Sequence, residues 1–166
     1  MVFQQRFIEL LHAAAARQSF RPIPGAAKVL ERLANTSSHC VALATGCWSE
    51  AARLKLASAG MCFDDYPSAT ADDAVAREDI VKLAIQRAAQ WAGVTGFART
   101  VYVGDGVWDA RACQVLGLPF VGIARGPKAQ QLRAEGAAWV CADFSDGDLF
   151  LERLAAIARS PRGGKV

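Results

Sequence analysis

Short apolar runs, each closed by a loop of small or polar residues, alternate along this chain with segments of helical period. Cys40-Val41-Ala42-Leu43-Ala44 stops at Thr45-Gly46, and Thr100-Val101-Tyr102-Val103 stops at Gly104-Asp105-Gly106. Phe120 to Ala124 and Trp139 to Cys141 are further runs of the same kind. Runs this short, bounded by turn signals, read as buried strands. Between them the spacing predicts helices over 26–34, 48–59, 77–92, 107–116, 128–135 and 147–158. Strand and helix in strict alternation mean a parallel sheet covered on both faces. An earlier helix is predicted over 2–17, where Phe3, Phe7, Leu10, Leu11 and Ala14 recur at helical spacing. Residues 60–63 read as a short strand or turn, 64–76 as polar and irregular, and the tail 160–166 as disordered.

A chain of 166 residues is about one domain. Its 19 basic and 16 acidic side chains leave a net charge of +3, too mild and too dispersed for a nucleic-acid surface. Apolar runs fall far short of the roughly 18 residues a membrane span needs, so no membrane partner is expected. The five cysteines are odd in number, and none is spaced as C-x-x-C, which argues against a disulfide framework or a zinc site and fits the cytoplasm. His12 and His39 have no acidic or thiol partner at ligand spacing and read as structural or surface residues. Cys47 sits beside the Thr45 loop with no histidine near it in the sequence, and reads as packing rather than a nucleophile.

In parallel sheets ligands sit beyond the carboxyl ends of the strands. Thr45 and Gly46 stand at one such end and lead into a helix, whose amides and dipole suit an anion. The same pattern also serves as an ordinary helix entry. Gly104-Asp105-Gly106-x-x-Asp109 stands at another strand end. Asp105 and Asp109, four apart, can converge where strand gives way to helix, an arrangement suited to Mg²⁺. Alternatively they are a helix cap and a first-turn acid. Arg77 opens helix 77–92 at its positive dipole end, which marks it either as a phosphate ligand or as a solvated surface cation.

Taken in order, these pieces resemble the haloacid dehalogenase superfamily, specifically its phosphoglycolate-phosphatase-like hydrolases. The resemblance rests on Pro24-Gly25 before a helix, VALATG (41–46), ARED (76–79), VYVGDGVWDA (101–110), GLPFVGIARG (117–126) and LRAEGAAWV (132–140), and runs from about residue 20 onward. It implies a three-layer α/β/α Rossmann-like core over 21–159, with the helix in 1–20 as the remnant of a cap segment. Thr45, with Gly46, then binds a transferring phosphoryl group, Arg77 steadies it, Asp105 is the acidic ligand of Mg²⁺, and Asp109 is that ligand's partner. The family's first motif, a strand ending Asp-x-Asp that supplies nucleophile and acid/base, has no counterpart here, since no Asp precedes Asp64. That strand is the central one of the family's sheet, between the Cys40 and Thr100 strands. The expectation is therefore an N-terminally shortened phosphatase for a small phosphorylated metabolite. The chain as it stands would be inactive and prone to associate through uncovered sheet. The alternatives are a non-catalytic phosphate- and metal-binding module, or a sugar-phosphate mutase of the same fold. A dehalogenase needs no metal and is disfavoured by Gly104-Asp105-Gly106-x-x-Asp109.

Overall fold

The protein is represented by a computed structural model that describes residues 2–18 and 20–160. Beyond Ser160, the tail expectation falls outside the described residues. The chain divides into two compact units, Met1–Pro22 with Leu30–Thr95 and Ile23–Val29 with Gly96–Val166.

The first unit contains helix α1 (Val2–Arg17), strand β1 (Leu43–Ala44), helix α3 (Ser49–Ser58), strand β2 (Ser68–Ala69) and helix α4 (Arg77–Trp91). Helix α2 (Ala26–Ala34) contributes residues to both units. β1 and β2 are parallel, with Leu43 opposite Ser68 and Ala44 opposite Ala69. The ladder continues through Thr45, whose N–H donates to the Ala69 carbonyl at 3.0 Å. Ala69, Ile80 and Ala84 form the core under this sheet, with Ala42, Ala44, Ala74 and Leu83 packed against it. Small side chains dominate there, so α4 can lie close on the two strands.

β2 lies inside the stretch that the sequence suggested was irregular, and that expectation is corrected here. Only two residues pair, and Pro67-Ser68-Ala69-Thr70 has neither the β-branched content nor the alternation that marks a strand. The segment 60–63 resolves as a turn: Gly60 takes φ +77°, and a 3-10 turn follows at Phe63–Asp65.

The second unit contains strand β3 (Tyr102–Gly104), helix α5 (Val107–Leu116), strand β4 (Phe120–Ile123), helix α6 (Gly126–Ala134), strand β5 (Trp139–Cys141) and helix α7 (Gly147–Arg159). The sheet is parallel in the order β3-β4-β5, pairing Val103 with Val121 and Val121 with Trp139. All four residues of β4 are buried, as expected of a central strand covered on both faces. Ala110, Cys113, Phe120, Ala129, Leu132 and Val140 make the core. Among the described residues the strands thus form two parallel sheets, β1-β2 in the first unit and β3-β4-β5 in the second. Among the described residues no helix is long and apolar enough to cross a membrane.

Candidate active site

Each unit holds part of the predicted set at the carboxyl end of its sheet. In the first unit, Thr45 follows β1 directly and its backbone is fixed by the ladder bond to Ala69. Its hydroxyl oxygen accepts the Cys47 N–H at 3.1 Å and keeps its own proton as a donor. Gly46 comes next. A Cβ placed on it would stand 3.4 Å from Nη1 of Arg77, so the guanidinium lies directly against this glycine. Arg77, distant in sequence, therefore meets the Thr45-Gly46 loop. Arg77 is the first residue of α4, after Ala76, whose side chain supplies no cap. Glu78 and Asp79 in the same turn offset its unfavourable position at the positive dipole end.

The helix entry after Gly46 differs from an open anion seat in one respect. Trp48 caps α3 without a side-chain bond, and the Ser49 N–H instead donates to Oδ2 of Asp72 at 2.8 Å. That bond to the Ser49 amide holds the Asp72 carboxyl below the ordinary carboxylate range. One end of the loop after β2 thus fills a helix-terminal amide that the sequence left open to a ligand. Cys47 is also better connected than its sequence suggested, since Nζ of Lys55 stands 3.3 Å from its sulfur.

Asp73 anchors the same loop. It accepts from Thr70 N–H at 2.8 Å and from both Arg87 nitrogens, at 3.0 and 2.7 Å. Arg87 also donates to the Ser68 carbonyl at 2.7 Å, so it clamps the loop to β2. The Arg87 guanidinium is the main reason the Asp73 carboxyl is held below its ordinary range. A depressed carboxylate contributes stability that is complete above the ordinary carboxylate range and is lost as pH falls through the lower folded value. Arg87→Met should therefore cost about 1 kcal/mol at neutral pH, the scale of a partly exposed pair. In urea titrations at two pH values, that penalty should shrink once Asp73 is protonated, leaving the part that comes from the bond to the Ser68 carbonyl. A penalty that persists unchanged in strong acid would show that the ion pair is not its source.

In the second unit the two predicted carboxylates part company. Asp109 is 2% exposed. Its Oδ2 accepts the Gly106 N–H at 3.1 Å and its Oδ1 accepts the Tyr102 hydroxyl at 3.2 Å. It thus reaches back from the first turn of α5 to the residue that caps the helix. Asp105 is mostly exposed and accepts from Nζ of Lys128, in α6, at 2.6 Å. Nothing in the sequence pointed to Lys128, which is 23 residues away and carries no motif. The flanking glycines are required by the chain's own side chains. A Cβ on Gly104 would come within 2.7 Å of Asp109 Oδ2, and one on Gly106 within 2.3 Å of the Trp108 indole.

A Mg²⁺ ion takes a few protein oxygens and keeps several waters. Asp105 has an accessible carboxylate of the right kind, whereas Asp109 is committed to the Gly106 amide and the Tyr102 phenol. Among the described residues no group of three His, Cys, Asp or Glu side chains could hold a metal ion. The residues present therefore do not by themselves make a Mg²⁺ site.

Parallel strands with polar side chains at their carboxyl ends, a hydroxyl–glycine loop closed by a guanidinium, and a Gly-Asp-Gly turn after a further strand define an α/β protein with parallel sheets. The sequence matches the haloacid dehalogenase-like hydrolases over residues 2–117, and the chain belongs to that family. Two solved structures are similar to it at 23% identity, which speaks to the fold alone. A conserved haloacid dehalogenase-like protein of unknown function from Agrobacterium tumefaciens matches 80% of this chain and 61% of its own, with a TM-score of 0.59. A hydrolase from Pseudomonas syringae matches 83% of this chain and 64% of its own, with a TM-score of 0.64. This chain thus spans a little over three fifths of the length of either. No curated protein matches it.

Proposed function

We propose that this chain carries the phosphate-handling residues of a phosphoric monoester hydrolase of the phosphoglycolate-phosphatase-like kind, acting on a small phosphorylated metabolite. The observation that supports this reading is the meeting of Thr45, Gly46 and Arg77, one hydroxyl donor and one guanidinium at a loop beyond a strand end. A fixed guanidinium matches the equatorial oxygens of a phosphoryl group, and a hydroxyl adds orientation. Asp105 is the acidic group of the reading, and Mg²⁺ is the cofactor that the family resemblance implies. The hydrolysis runs through an aspartyl-phosphate in this reading, and Thr45, Arg77 and Asp105 handle the phosphate rather than attack it. The chain alone then binds phosphate without turning it over.

Titration of the chain with inorganic phosphate, followed by calorimetry, tests the seat. Arg77→Ala should weaken binding by about 1.5–3 kcal/mol, the range for a lost charge-assisted hydrogen bond. Thr45→Val should weaken it by about 1 kcal/mol, the typical worth of a single hydrogen bond. Phosphate affinity that is the same in Arg77→Ala as in the parent protein would remove Arg77 from the site and the reading with it. Robust turnover of an aryl phosphate by the chain alone would instead place the nucleophile among residues not named here.

A further inference from the structure

We propose that Trp48, with Phe3 and Phe7 of α1 set against it, is a specificity-determining face for the organic part of the substrate, and that the phosphate ester this chain takes carries a flat, uncharged ring. The inference deepens the reading of Thr45, Gly46 and Arg77 as a phosphate seat, and rests on it. Its first support is an aromatic cluster at the surface. The rings of Phe3 and Phe7 stand edge-on to the Trp48 ring, with centroids 6.2 and 5.5 Å away and planes at 68° and 71°. Phe3 keeps 76% of its surface exposed in this arrangement, and Phe7 and Leu10 on the same helix are exposed as well. The residue that α1 buries is Ile8. Apolar side chains gathered at a surface forgo the stabilisation that burial would give, and such a patch marks a binding face.

The second support is that bonds across the first unit bring this cluster to the seat. Trp48 follows Thr45 by three residues, so the two Cα atoms lie within about 11 Å of each other. α1 belongs to a distant stretch of chain, yet Gln4, next to Phe3, donates to the Asp72 carboxylate. Asp72 also takes the Ser49 N–H, beside Trp48, at 2.8 Å. It stands in the loop that leaves β2 and enters α4 at Arg77, and the neighbouring Ala71 N–H donates to the Cys47 carbonyl at 3.1 Å. One carboxylate thus ties the first turn of α1 to the start of α3 and to the loop that ends in Arg77. The aromatic face and the phosphate seat therefore share one end of the β1-β2 sheet.

The chemistry of the face selects the ligand. A ring laid in the angle between Phe3 and Trp48 meets one of them edge-on and the other face-on, arrangements that aromatic pairs prefer. Charges close by are matched within the chain, Asp72 by Gln4 and the Ser49 amide, and Arg6 by Glu9 at 2.9 Å. The face thus offers rings rather than ions. A phosphate monoester of a flat ring joins the two parts, its phosphoryl group on Thr45 and Arg77 and its ring against Trp48.

The test is calorimetric titration of the full 166-residue chain with inorganic phosphate, phenyl phosphate and cyclohexyl phosphate. Inorganic phosphate reads the seat alone, and the two esters differ in carrying a flat or a puckered ring of similar size. Phenyl phosphate should bind about fivefold more tightly than cyclohexyl phosphate, the scale of one aromatic contact. Trp48→Leu should bring the two esters to equal affinity and leave inorganic phosphate as in the parent protein. Trp48 also caps α3, so Phe3→Leu, at an exposed position that the fold tolerates, is the second variant and should cut the preference to about half. Equal affinity of the two esters in the parent would overturn the proposal, as would a preference that survives both substitutions. So would a preference unchanged in Phe3→Leu when Trp48→Leu loses inorganic phosphate too, the sign that Trp48 acts on the seat through the fold. Inorganic phosphate binding that is unchanged in Arg77→Ala brings down the seat instead, an outcome into which the ratio of the two esters does not enter.

Discussion

Gly25→Ala is expected to destabilise the second unit by roughly 3–5 kcal/mol, combining a disfavoured backbone region with a clash against main chain. Gly25 opens the turn into α2 at φ +79°, a left-handed conformation that costs an L-residue about 1–2 kcal/mol. A Cβ there would fall 2.0 Å from the Phe144 carbonyl oxygen and 2.9 Å from the Ser145 nitrogen. These are backbone atoms, so no rotamer change removes the overlap. Residue 144 would have to retreat, stretching the bond from its N–H to the Pro24 carbonyl, now 2.9 Å. It would also carry away the Phe144 ring, which stacks edge-on against buried Phe150 at 4.8 Å. Gly117→Ala is the matched control in the same unit. Gly117 also has positive φ, +63°, but an added Cβ meets nothing within 4 Å, so only the backbone term of about 1 kcal/mol should appear. Urea unfolding of the two variants measures both. A Gly25→Ala penalty no larger than that of Gly117→Ala would mean that the close approach of the two backbones is absent in solution.

Pro24-Gly25 entered the sequence argument only as a marker before a helix, and its physical reason lies in a residue more than a hundred positions away. That contrast recurs through the chain. The helices and most strands were legible because their signals are local. Ile80, Val81, Ala84 and Ala88 recur at helical spacing on α4, and all four are buried. The four-residue apolar run of β4 is buried throughout. β2 was not legible, because two residues paired to Leu43 and Ala44 need no apolar run of their own. The family was readable from the order of its motifs, and it agrees with the match over residues 2–117.

The candidate site residues stand out in the sequence as residue types, less so as partnerships. Thr45 and Gly46 announce themselves at a strand end, and Arg77 by its place against the helix dipole. That the guanidinium reaches Gly46 follows from how α4 packs on β1 and β2, a tertiary fact with no local signature. Lys128 and Asp72 were missed for the same reason. A lysine in the sequence GPKAQ and an aspartate in a polar loop look like solvated surface until the fold brings them to Asp105 and to the Ser49 amide. The spacing of Asp105 and Asp109 carried both a ligand reading and a capping reading. Spacing alone could not separate them, because the same i, i+4 geometry serves each.

Burial distinguishes the two side chains, and the consequence can be measured. Asp109→Ala should destabilise the protein by about 2–4 kcal/mol, because it strands a buried amide and a phenol hydroxyl and removes a helix cap. The Gly106 N–H would lose the oxygen at 3.1 Å, and the Tyr102 hydroxyl the one at 3.2 Å. Asp109→Asn keeps the shape and one acceptor oxygen but presents an NH₂ group to one of the two donors, so about 1–2 kcal/mol is expected. Asp105→Asn, at an exposed position paired only at the surface, should change stability by less than about 0.5 kcal/mol. Thermal or urea unfolding of the three variants should therefore rank Asp109→Ala, Asp109→Asn and Asp105→Asn in falling order of damage. If Asp105→Asn proves as destabilising as Asp109→Ala, both carboxylates support the turn and the division of labour between them fails. If instead Asp109→Ala is as stable as the parent protein, the buried bonds to Tyr102 and Gly106 do not hold α5 to its strand, and Asp109 becomes available as a ligand.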